Sequence, residues 1–204
     1  MWDAMLFSGG TETGPSGPGP GPRRVTMVRE HLADLPEHAL PEGLSLRPYR
    51  PGDEAAWVRV LNLAHPRRTF TTETFRAEFG RDDEVIARRQ LYLCGGDGVE
   101  IGTATAWFDD DYNGKSYGRV HWVAIVPTFQ GLGLSRPLLS AVCRRLGELG
   151  HVRACLATYT SRVPAVGLYL KFGFVPEIRD PRDAAAWRLL RESLPDGPLS
   201  RMEL

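Results

Sequence analysis

The sequence is poor in several things that would have pointed to particular chemistries. It has three cysteines, Cys94, Cys143 and Cys155, an odd number with no CxxC pair. That argues against both a disulfide framework and a thiolate zinc site. The five histidines, His31, His38, His65, His121 and His151, are scattered without metal-ligand spacing, so no metal is expected. No apolar run approaches the roughly 20 residues that cross a bilayer. The N-terminus lacks a basic segment leading into a long apolar stretch, so neither a membrane partner nor a secretory signal is expected. Charge of either sign is not in excess: Lys+Arg and Asp+Glu number 25 each, which removes any global pull toward nucleic acid. Reduced thiols and a neutral balance predict a cytoplasmic protein.

What is present suits one globular domain with a tail: 204 residues, 42% hydrophobic and 25% charged, are enough for a substantial core. Residues 8–22 are dominated by Gly, Pro, Ser and Thr. Such a stretch buries too little apolar surface to offset its ordering entropy. Residues 1–26 therefore read as a flexible tail, 27–43 as a lead-in and 44–204 as the folded domain.

From residue 44 the pattern is regular. Leu44 and Leu46 suggest a first strand, and Asp53 is placed to cap a helix carrying Trp57, Val60, Leu61 and Ala64. A second helix begins near Thr72 and carries Phe75 and Phe79. Residues 90–94 and 100–108 read as strands joined at Gly95–Gly98, and 109–115 as a second turn. Residues 119–126 are nearly all apolar, as in a central strand. Leu134, Leu138, Val142, Leu146 and Leu149 mark one face of a long helix. A strand at 152–159, a helix over 165–172, a strand from Phe174 and a terminal helix at 183–193 follow. The order β-α-α-β-β-β-α-β-α-β predicts an α/β protein with a mixed sheet covered by helices.

The most informative stretch is Pro127-Thr128-Phe129-Gln130-Gly131-Leu132-Gly133-Leu134-Ser135, between the buried strand and the long helix. Gly131 and Gly133 let the backbone turn tightly and approach a ligand. The first helix amides lack internal acceptors and lie at the positive end of the macrodipole, which suits a pyrophosphate. Read from these residues alone, the stretch is either such an anion site or an ordinary strand–helix turn with two helpful glycines. It is neither a P-loop nor a GxGxxG dinucleotide fingerprint.

Gln130-Gly131-Leu132-Gly133-Leu134-Ser135 resembles motif A of the GCN5-related N-acetyltransferase (GNAT) superfamily, Gln-Gly-x-Gly-x-Gly/Ala, with Ser135 in the last place. Ala124-Ile125-Val126-Pro127 looks like that family's strand end. Ala165-Val166-Gly167-Leu168-Tyr169-Leu170-Lys171-Phe172-Gly173-Phe174 looks like its Leu-Tyr segment. The resemblance implies a sheet whose fourth and fifth strands splay apart around acetyl-CoA as co-substrate. Gln130, Gly131, Leu132, Gly133, Leu134 and Ser135 would meet the pyrophosphate, and Ala124, Ile125 and Val126 the pantetheine. An amide near Ile125 would polarise the thioester.

The resemblance also makes Tyr169 the acid for the departing thiolate, where the residues alone would accept a core tyrosine. His121 is the candidate base or else a hydrogen-bonded structural histidine; Asp109 is an alternative base, and the resemblance also admits an ordered water chain in place of a dedicated base. Arg162 stands where the family often has a cofactor-contacting asparagine, and is either a phosphate ligand or a solvated helix start. Asp109-Asp110-Asp111 would attract a cationic amine or form a hairpin tip. Trp57, Phe75, Trp107 and Trp122 line an acceptor pocket or belong to the core. The acceptor is left open among small metabolite amines, antibiotics, peptide or protein amines and thiols, with a small-molecule or peptide amine expected; loops at 63–82 and 109–117 would build its pocket, and a homodimer is admitted. The competing expectations are a non-catalytic acyl-CoA-binding sensor or assembly module, and a phosphate-binding protein for other nucleotides.

Overall fold

The computed structural model describes residues 22–194 and Leu199. The predicted tail over residues 1–21 lies outside the described residues.

In chain order the elements are β1 (Arg24–Arg29), β2 (Ser45–Pro48), α1 (Glu54–Ala64), α2 (Thr72–Phe79), α3 (Asp83–Arg89), β3 (Gln90–Cys94) and β4 (Glu100–Tyr112). They continue with β5 (Lys115–Ile125), α4 (Ser135–Glu148), β6 (Ala154–Tyr159), α5 (Val163–Lys171), β7 (Val175–Glu177) and α6 (Pro181–Ser193). One seven-stranded sheet has the order β2-β3-β4-β5-β6-β1-β7. The mixed α/β sheet read from the sequence is the fold.

Two elements correct the sequence reading. β1 takes in residues assigned to the tail: Val25 and Met27 are fully buried, and the strand pairs antiparallel with β6 along its whole length. It also pairs with β7, so it sits between two strands that come more than a hundred residues later. Its six residues have no helix or hairpin partner nearby, and only the distant β6 supplies one. The predicted fourth and fifth strands are therefore β5 and β6. The second addition, α3, buries only Ile86. It is held by its cap instead, the Asp82 carboxylate accepting from the amides of Glu84 and Val85 at 3.1 Å each.

Elsewhere the patterning holds. Trp57, Val60 and Leu61 turn the face of α1 inward, and Phe75 and Phe79 that of α2. Thr71 caps α2 by accepting from Thr74 N at 3.2 Å. Asp53 occupies the cap position of α1, but its carboxylate is taken by Arg47 and the Arg50 amide rather than by the helix. The second hairpin turns at Asn113-Gly114, both with positive φ, as a two-residue hairpin requires. The Asp109–Asp111 run thus lies on β4, not in the turn.

Two irregularities shape the functional face. The β4–β5 register slips so that Trp122 and Val123 together oppose Ala104, a bulge that puts an extra residue on β5. Trp122 there has φ +48°, which is costly for a bulky side chain. β5 and β6 pair, in parallel, only at Gly118–Ala154 and Arg119–Cys155. A Cβ at Gly118 would come within 2.8 Å of Leu146 Cδ2, so this last point of contact depends on glycine. Beyond Arg119 the two strands part.

Candidate active site

The splay leaves one edge of β5 without a strand partner from Val120 onward. Val126 N donates to Ile101 O at 2.9 Å, on the β4 side. By strand alternation the peptide N–H of Ile125 then points to the open edge. The Ile125 carbonyl on that edge is engaged: the Gln130 side-chain amide donates to it at 2.7 Å. Gln130 is therefore a brace that ties the glycine turn to the end of β5. Its own backbone N–H donates to Pro127 O. Both the side-chain amide and the backbone N–H of Gln130 thus have an acceptor within the chain.

The turn itself has the predicted geometry. Gly131 and Gly133 have φ of +79° and +76°, the left-handed region that favours glycine. Leu134 is buried and anchors the turn, whereas Leu132 projects outward and is 63% exposed. Among the described residues the backbone N–H groups of Gly131, Leu132, Gly133, Leu134 and Ser135 have no acceptor; internal bonding of α4 starts with Arg136 N to Gly133 O at 3.2 Å. Five consecutive free donors thus stand at the head of a 14-residue helix, at the positive end of its dipole. The arrangement fits a diphosphate.

Tyr169 lies on the inner face of α5, 8% exposed, with its ring 6.2 Å from that of Phe174. Its hydroxyl has no hydrogen-bond partner among the described residues, yet it is not among the sealed, unpartnered polar atoms. Burial pushes the phenol pKa up against the opposing charge of Arg162, so the group keeps its proton through neutral pH. Arg162 is exposed at the cap position of α5 and makes no side-chain cap bond.

His121 occupies β5 immediately before the bulge. Its Nε2 lies 2.9 Å from Glu78 Oε2, and Trp122 Nε1 donates to that same oxygen at 2.9 Å. Glu78 was not singled out in the sequence. It is one of many glutamates, and its side-chain exposure of 7% is set by the fold. Burial pushes its carboxyl pKa up, but the bond from His121, the charge His121 carries when protonated, the bond from Trp122 and the charge of Arg119 outweigh that and leave it low. Burial lowers the His121 pKa, with Arg119 and Arg24 adding to it and Glu78 opposing. The consistent pair is an ionised carboxylate with a neutral imidazole.

A run of rings joins this pair to the far side of the site. His121 is 5.4 Å from Trp122, Trp122 5.3 Å from Phe70, and Phe70 5.9 Å from His65. Arg162 acts electrostatically on both His65 and Tyr169. Of the four aromatics read as pocket or core, Trp57 and Phe75 are fully buried, while Trp107 and Trp122 are half-buried. Segment 63–82 reaches the bulge through Phe70 and through Arg68, which stacks 5.5 Å from the Trp122 ring. The tip at 109–117 is tied away from it: Asn113 donates to Glu177 at 2.8 Å and Tyr112 also bonds Glu177, on β7.

Among the described residues no group of three or more His, Cys, Asp or Glu could hold a metal, and no helix is long and apolar enough to cross a membrane.

The acetyltransferase (GNAT) family profile matches residues 56–174, more than half of the chain. The chain is 35% identical over 147 residues to a mycothiol acetyltransferase of Pseudarthrobacter chlorophenolicus, covering 70% of this chain and 46% of that one. It is 33% identical over 159 residues to a mycothiol acetyltransferase of Thermomonospora curvata, covering 74% and 52%. The chain thus spans about half the length of these curated relatives. Among solved structures, a GCN5-related N-acetyltransferase from Sphaerobacter thermophilus superposes with a TM-score of 0.63 at 23% identity, over 76% of this chain and 48% of that one. The NatC complex bound to Gag peptide and CoA gives 0.56 at 15% identity, over 67% and 87%. These structural likenesses speak to the fold, and the profile match decides the family: the chain belongs to the GNAT family of acetyltransferases.

Proposed function

We propose that this protein transfers an acetyl group from acetyl-CoA to an amine, directly within a ternary complex. The observation that carries the reading is the set of five unpaired amides from Gly131 to Ser135, braced by Gln130 against the end of an open strand edge. In this reading the amides and the helix dipole hold the diphosphate. The Ile125 N–H, preorganised on the splayed edge, faces the thioester carbonyl and stabilises the negative charge that develops on its oxygen.

The proton traffic then has an acceptor and a donor. His121, neutral and hydrogen-bonded to Glu78, takes the proton the amine loses as the N–C bond forms. Tyr169, protonated and without a protein acceptor, supplies a proton to the sulfur as the C–S bond breaks. Arg162 contributes positive charge near Tyr169. Asp109 sits on β4 away from the bulge and has no part in this scheme.

The relatives named mycothiol acetyltransferase direct the first search for the acceptor to small-molecule amines related to mycothiol, with peptide N-termini as the second arm. A cytoplasmic site of action belongs to the same reading.

The test has two stages. Native mass spectrometry and calorimetry with CoA, ATP and NAD should show CoA binding alone. Thiol release across the amine panel should then exceed the rate without amine. Binding of CoA with no turnover on any amine would replace the enzyme by an acyl-CoA sensor. Stabilisation by ATP or NAD in place of CoA would remove the reading altogether.

A further inference from the structure

Glu78 is a carboxylate held almost out of solvent beside His121. A carboxylate that keeps its charge in a nearly closed site is expensive unless its partners repay the desolvation. Here a single oxygen, Oε2, accepts from two ring N–H groups on adjacent residues of β5, His121 Nε2 and Trp122 Nε1, both at 2.9 Å. Trp122 is the residue at φ +48° in the bulge. The Phe79 ring, 6.0 Å from His121, closes the pair from the same helix. Charged groups facing His121 are Glu78 from α2, Arg119 from β5 and Arg24 from β1; those facing Glu78 are His121 and Arg119.

A neutral imidazole carries one proton on one of two nitrogens, and the partner of one nitrogen decides the state of the other. A carboxylate can only accept, so the Nε2 facing it must bear the hydrogen. Nδ1 is then the lone-pair nitrogen. It has no hydrogen-bond partner among the described residues and is not among the sealed, unpartnered atoms.

We propose that Glu78 is a positioning residue that holds His121 as its Nε2–H tautomer, leaving Nδ1 as the basic atom, and that the same oxygen pins Trp122 in the bulge. Base orientation and strand distortion are thereby tied to one side chain of α2. The inference rests on His121 being the base, and its test can be read without turnover.

The full chain, labelled with ¹⁵N-histidine, is examined by long-range ¹H–¹⁵N NMR across pH 4 to 9, with H121N assigning the His121 signals. In the wild type His121 should show the neutral Nε2–H pattern. In E78Q the oxygen still accepts but the charge is gone, so the His121 midpoint should move to lower pH. In E78A the signals should collapse to a mixture of tautomers. A wild-type Nδ1–H pattern, or His121 signals unchanged in both variants, overturns the proposal. Should E78A fail to fold, E78Q decides by its midpoint alone. With a panel amine that supports turnover, E78Q should shift the acid limb of kcat to lower pH and have no further effect in the H121N background. Full turnover by H121N would instead remove the base assignment while leaving the tautomer result intact, so the two failures are told apart.

Discussion

Replacing Tyr169 by phenylalanine removes one oxygen and leaves the packing in place. The residue is 8% exposed, and its ring contact with Phe174 at 6.2 Å is shared by phenylalanine. The hydroxyl gives up no hydrogen bond among the described residues. The stability change should therefore stay within about 0.5 kcal/mol. The rate should respond very differently. A positioned general acid contributes about 10²- to 10⁴-fold, or roughly 3–5 kcal/mol of barrier. The Y169F variant should thus melt with the wild type while kcat falls by at least about a hundredfold. Because the phenolic proton is what is lost, KM for acetyl-CoA should barely move. The measurement is thiol release at saturating acetyl-CoA and amine, paired with a thermal melt. A kcat within twofold of wild type at equal stability would refute the role of Tyr169. The raised phenol pKa adds a sign: a group that stays neutral in the fold resists ionisation. Its contribution to stability is lost only as pH rises above the unfolded value of about 10.

Gly133→Ala should weaken acetyl-CoA binding by about tenfold or more and lower stability by about 1–2 kcal/mol. The reason is φ +76°, strained for any side chain even though nothing lies within 4 Å of its Cβ position. Calorimetry and a melt separate the two effects. Gly118→Ala should cost about 1–3 kcal/mol by overpacking against Leu146 and His151, read as a lower urea midpoint at unchanged slope. Burial holds the His65 pKa down at about 4, with Arg162 and Arg68 adding to it. The unfolded state, with a value near 6.5, binds the proton first, so stability should fall as pH is lowered from about 6.5 toward 4. H65Q should reduce the difference in midpoint between pH 7 and pH 5.

Much of the fold follows from repeating patterns that need no knowledge of partners. Trp57 with Val60 and Leu61, or Phe75 with Phe79, places apolar side chains on one helical face, and the helices lie there. The glycine turn was legible for the same reason. Left-handed backbone at Gly131 and Gly133 and unpaired amides ahead of α4 are consequences of a few adjacent residues. The elements that escaped show no such period: β1 is stabilised by strands far along the chain and α3 by its cap. α3 buries one side chain, too few to show a period.

The sequence by itself determined the helical faces, the strand–turn–helix with its two left-handed glycines, and the tyrosine-bearing helix that follows, because each depends on neighbours within a few residues. Only the tertiary structure decided that Arg24–Arg29 lies between β6 and β7, that β5 and β6 separate after Arg119, and that Gln130 braces Ile125. It also brought Glu78 to His121 across 43 residues of chain. A buried carboxylate, a strand bulge and a strand's choice of partner are set by what packs against them. That packing exists only once distant segments have come together.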